Sequence, residues 1–68
     1  MEFCDILKAL RTINNLSQKA LGEIMGLTVS TVCDWEKKRS EPNLAQLSLL
    51  ADVFSVSTDF LLGRKEEV

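Results

Sequence analysis

Apolar residues recur at three- and four-residue spacings through most of the chain, and short polar or glycine-containing segments interrupt them. Phe3, Ile6, Leu7, Leu10 and Ile13 fall on one face and predict a helix over 2–13, closed by Asn14-Asn15. Ser17 is an N-cap candidate for a run carrying Ala20, Leu21, Ile24 and Met25, predicting a helix over 18–25. Gly26 can take φ > 0 and stop it. Thr28 opens a third helix over 29–37, with Val32 and Trp35 facing inward. Residues 38–42 read as a loop, where Pro42 biases Glu41 away from helix. Asn43 and Gln46 have capping-box spacing, and the helix they open runs to Phe54, burying Leu44, Leu47, Leu50, Ala51 and Phe54. Ser57 caps a short fifth helix, Thr58–Leu62, ended by Gly63. The expected fold is therefore all-α, with five helices, no strand and a core over about 2–63. Residues 64–68, RKEEV, read as a charged tail on a single domain of 1–68.

The middle of this pattern, SQKALGEIMGLTVSTVCDWE over residues 17–36, is the most specific part. Two short helices around a glycine-containing turn make a helix-turn-helix, whose second helix can lie in the DNA major groove. Gly22 sits inside the first of these helices, at a cost of up to ~1 kcal/mol against Ala. That cost is tolerable where another helix crosses too closely for a side chain. Leu16 and Leu21 flank Ser17 at the positions of a hydrophobic staple, as do Val56 and Leu61 around Ser57. Leu27 and Val32 are apolar where the turn and second helix pack back on the first.

Composition narrows the function. A hydrophobic content of 46% in 68 residues supports one small core and argues against disorder. No apolar run approaches the ~20 residues that cross a bilayer. MEFCDILK lacks the features of a signal peptide, so a cytoplasmic location is expected. Cys4 and Cys33 are then expected as free thiols, and with no His in the chain they do not make a structural zinc site. No nucleophile arrangement, metal cluster or phosphate loop stands out, so no enzyme activity, catalytic residue, cofactor or small-molecule substrate is expected. The net charge of −2 argues against indiscriminate nucleic-acid binding. The charge is uneven, however. Residues 1–40 carry six basic and five acidic side chains, against two and five in 41–68. The densest basic run, Lys37-Lys38-Arg39, directly follows the third helix.

These residues resemble the Cro/repressor-type (XRE-like) helix-turn-helix family over roughly 6–63. Leu16-Ser17-Gln18 is similar to the family's "LSQ", Leu27-Thr28-Val29-Ser30-Thr31-Val32 to its "VSxSTI", and Trp35-Glu36 to its "WE". Glu41-Pro42-Asn43-Leu44 is similar to "xPSL", and Val56–Gly63 to "VSxDxLLG". The resemblance implies that Val29, Ser30 and Asp34 meet base edges, with Cys33 on the same exposed face. It also implies an ion pair joining Arg11 on the first helix to Glu36 on the third. Two departures stand out. Lys38 and Ser55 occupy places where the family often has Gly, and a non-Gly residue at φ > 0 adds strain on the order of 1 kcal/mol or more. The path leaving the third helix is therefore expected to differ locally.

Val29 suits a thymine methyl, Ser30 a donor or acceptor on a base, and Asp34 a cytosine N4 amino group. The face has no Arg, Lys, Gln or Asn for bidentate purine reading, so sequence choice leans on methyl contacts, water and DNA shape. Candidates for phosphate contact are Gln18 with the amides around it, Thr28, Thr31, Lys37, Lys38, Arg39 and Asn43, with Lys19 a weaker one. The expected function is sequence-specific binding of double-stranded DNA by a transcriptional repressor. One copy offers little basic surface, so a homodimer on an inverted repeat is expected. The alternative is the same fold serving as a protein-interaction module with weak or no DNA binding.

Overall fold

The computed structural model describes residues 1–64; the remainder of the expected tail, residues 65–68, lies outside the described residues. Five helices follow one another, and no strand occurs among the described residues: α1 (Phe3–Ile13), α2 (Gln18–Met25), α3 (Val29–Glu36), α4 (Leu44–Phe54) and α5 (Thr58–Leu61). Glu2, Lys37 and Leu62, expected inside helices, are the caps of α1, α3 and α5 instead.

The starts of α2, α3, α4 and α5 are each fixed by a cap side chain that accepts from an amide three residues on. Ser17 Oγ accepts from the Ala20 amide at 2.9 Å, Thr28 Oγ1 from Thr31 at 3.3 Å and Ser57 Oγ from Phe60 at 3.0 Å. Asn43 and Gln46 form the reciprocal capping box: Gln46 N donates to Asn43 Oδ1 at 2.8 Å and Asn43 N to Gln46 Oε1 at 2.9 Å. All five helices end alike. Asn15, Gly26, Lys38, Ser55 and Gly63 take left-handed backbone, with φ between 56° and 74°. The amide of the next residue then returns to a carbonyl five positions back, as in Leu16–Arg11, Leu27–Gly22 and Arg39–Asp34. This is the Schellman closure, which satisfies carbonyls left open at a helix end. Lys38 (φ 62°) and Ser55 (φ 56°) adopt it although neither is glycine. The expected change of path after α3 is thus replaced by local strain, on the order of 1 kcal/mol per residue.

The core draws on every helix: Ile6 and Leu7 of α1, Leu21 of α2, Val32 and Trp35 of α3, Leu50 and Ala51 of α4, and Leu61 of α5. Leu16 and Val56 are partly buried against this core, to which Leu21 and Leu61 belong, as the two staples require. Three expectations need correction. Ile13 is 75% exposed, Leu44 86% and Ile24 54%. Ile13 and Leu44 lie on the predicted stripes but at helix ends, as the last residue of α1 and the first of α4; Ile24 lies on the flank of its stripe. The tight approach at Gly22 also differs from expectation. A Cβ there would lie 3.0 Å from the Leu27 carbonyl oxygen and 3.3 Å from that of Thr28, so the turn itself, not a crossing helix, excludes a side chain.

Candidate nucleic-acid interface

The buried pair Val32 and Trp35 fixes which side of α3 faces out. Val29 and Ser30 are exposed at its N-terminal end; Cys33 and Asp34 follow one turn later, partly exposed. These four make one surface on a helix of eight residues, about 12 Å long at 1.5 Å per residue. Thr28 and Thr31 flank it and are tied together through the cap, their Oγ1 atoms 3.1 Å apart. Lys37, Lys38 and Arg39 leave its far end, all exposed, and Lys19 and Asn43 are exposed on α2 and at the start of α4.

The angle of α3 is held by a part-buried polar network. Arg11 Nε donates to Glu36 Oε2 at 2.7 Å and Nη2 to Oε1 at 3.1 Å, a bidentate pair of the strong charge-assisted kind. Arg11 Nη1 also donates to the Leu16 carbonyl at 2.8 Å, which binds α1 to the loop before α2. Gln18 Nε2 completes the set, donating to Glu36 Oε1 at 3.1 Å. Glu36 therefore joins α1, α2 and α3. Burial pushes its carboxyl upward, but the Arg11 and Gln18 hydrogen bonds and the charges of Arg11 and Lys8 outweigh that, holding it below the usual carboxylate range. The Glu36 hydrogen bond in turn raises Arg11, against desolvation. The role of Gln18 here is not legible in the sequence, which suggests only a phosphate contact. One amide N–H is now committed to Glu36, leaving the other available.

The cations at the α3 exit are also less free than the sequence suggests. The Lys38 ammonium pairs with the Glu2 carboxylate, and Arg39 Nη1 lies 3.7 Å from Asp34 Oδ1. Hydrogen bonding to Glu2 raises the Lys38 pKa above the usual lysine value. Neither pairing has a local sequence signal for its geometry: one spans the whole helix-turn-helix and the other crosses a helix terminus. Glu2, Cys4 and Asp5 bring one potential metal ligand each to within 4.8 Å of one another. Glu2 is engaged by Lys38, and Asp5 Oδ2 accepts from the Glu2 amide at 3.4 Å. Three ligands fall short of the four of a structural zinc site. Cys4 and Cys33 are both free thiols.

The helix-turn-helix family matches this chain over residues 7–61, from α1 through α5. The chain belongs to the Cro/repressor-type helix-turn-helix family. Among relatives, the HTH-type transcriptional activator BcrR of Enterococcus faecalis is 36% identical over 97% of this helix-turn-helix chain, which spans 32% of that protein. Control protein C.SmaI of Serratia marcescens is 37% identical over 87% of the chain and 70% of its own length. The chain spans between 32% and 58% of the other curated relatives it matches. In three dimensions it is similar to the P22 c2 repressor, solved in complex with a synthetic operator. The TM-score is 0.88 at 28% identity, covering 96% of this chain and 98% of the repressor chain.

Proposed function

We propose that this protein is a sequence-specific double-stranded DNA-binding transcriptional regulator, acting as a homodimer on an inverted repeat and repressing from it. The observation that carries this reading is the likeness of its whole helical frame to a repressor solved on an operator. The surface of α3 agrees: small polar and apolar side chains project from its N-terminal end and a basic run follows its C-terminal end. In this reading Val29, Ser30, Cys33 and Asp34 face base edges. Lys37, Lys38, Arg39, Asn43, Lys19, Thr28, Thr31 and the α2 amides beside Gln18 face phosphates. Residues 1–68 act as one DNA-binding unit in the cytoplasm without a catalytic role, and no described helix is long and apolar enough to cross a membrane.

Selection of bound duplexes from a random library tests the proposal. The expected product is a palindrome with half-site centres ~10–10.5 bp apart, or a multiple of that spacing, so that both recognition helices meet one face of the duplex. Recovery of asymmetric single sites would overturn the dimer. Absence of any enrichment at low salt would favour the protein-interaction reading, which the pairing of Lys38 and Arg39 with carboxylates also suits.

A further inference from the structure

The charge distribution around the α3 exit carries one step more, and it rests on the DNA-binding reading. Lys38 is the residue that closes α3 in left-handed backbone, and Glu2 is the residue that caps α1. Their side chains pair across the two helix ends although both remain more than half exposed. Among the described residues this pair links the N-terminus of α1 to the basic run. We propose that Glu2 is a built-in counter-ion that sets DNA affinity by competing with phosphate for Lys38.

The mechanism follows from ion accounting. A lysine that is free in solution and moves onto a DNA phosphate releases about one condensed cation, contributing roughly −0.9 to the slope of log K against log salt. Lys38 held by Glu2 is instead part of a pair with zero net charge, which displaces no condensed cation when it approaches the duplex. While the pair holds, Lys38 adds almost nothing to the salt dependence of the native protein. Removing the carboxylate frees the ammonium for a phosphate contact. With the salt curves meeting near 1 M, a slope steeper by ~0.9 corresponds to roughly fivefold tighter binding per protomer at 0.15 M salt. The change applies to specific and non-specific duplexes alike, because phosphate contacts carry no base information.

Fluorescence-anisotropy titrations across a salt series, on one selected operator and one unrelated duplex, test this with native protein, Glu2→Gln, Lys38→Ala and the double variant. The expected result is a slope steeper by ~0.9 per protomer in Glu2→Gln, unchanged in Lys38→Ala, and returned to the native value in the double variant. Glu2→Asn, which removes the charge and supplies a favoured N-cap side chain, should behave as Glu2→Gln and guards against a folding defect, with helicity checked by circular dichroism. An unchanged slope in both Glu2 variants, with the native protein binding normally, overturns the inference alone. So does equal flattening by Lys38→Ala in both backgrounds, since Lys38 would then be unhindered. A native protein with no measurable affinity for DNA at low salt overturns the DNA-binding reading itself.

Discussion

Replacing Arg11 with Met tests the network that sets the angle of α3. The substitution keeps an unbranched apolar stem but removes every donor that Arg11 gives to Glu36 and to the Leu16 carbonyl. The Glu36 side chain is only 5% exposed and that of Arg11 14%, so solvent cannot readily replace the lost guanidinium. Gln18 remains as one neutral donor. A carboxylate stranded in this way costs ~3–5 kcal/mol. A chain of this size has a total stability of roughly 3–10 kcal/mol at 0.05–0.15 kcal/mol per residue, so the variant should be close to unfolding. Urea denaturation of native protein, Arg11→Met, Glu36→Gln and the double variant at pH 7 should give a coupling energy well above the ~0.5 kcal/mol scatter of independent sites. The pH dependence supplies a second signature. In the native fold the Glu36 pKa lies below its ordinary value of 4.5, so its contribution is complete above about that value and is lost as pH falls through the lower folded pKa. In Arg11→Met burial dominates and raises the pKa, so protonation relieves the stranded charge. The gap between native and variant stability should therefore narrow on acidification from pH 7 to below 4.5. Coupling under ~0.5 kcal/mol at low salt, or a gap that does not change with pH, would refute the reasoning.

Ser55→Gly should stabilise the protein by about 1 kcal/mol, because φ 56° is strained for serine and open to glycine. In a domain of this size that raises Tm by roughly 4–8 °C in a calorimetric scan, and a lowered Tm would contradict the strain argument. Gly22→Ala should destabilise despite a helix-propensity gain of up to ~1 kcal/mol, since the new Cβ meets turn carbonyls at 3.0 and 3.3 Å. Denaturation showing a gain would mean that the turn yields easily. Lys37→Ala should flatten the salt slope of DNA binding by ~0.9 per protomer on every duplex, whereas Ser30→Ala and Asp34→Asn should alter which duplexes are selected. Loss of binding to one operator alone would instead place Lys37 among the base readers.

The sequence by itself determined what is local in the chain. Helix starts at Ser17, Thr28, Asn43 and Ser57 rest on bonds between a side chain and an amide three residues on, so residue order alone locates them. Apolar spacing found the buried faces of Leu7, Leu21, Val32 and Leu50 in the same way, and with them the outward face carrying Val29 and Ser30. The Arg11–Glu36 pair was legible through family resemblance, not through spacing, because its partners lie 25 residues apart. Tertiary structure decided the rest. Packing left Ile13 and Leu44, each at a helix end, in solvent although both lie on apolar stripes. The meeting of three helices turned Gln18 toward Glu36, and the closeness of two helix ends gave Lys38 its carboxylate partner. Periodicity and capping act within a turn of helix, whereas these contacts depend on where one helix stands relative to another, which only the packed core fixes.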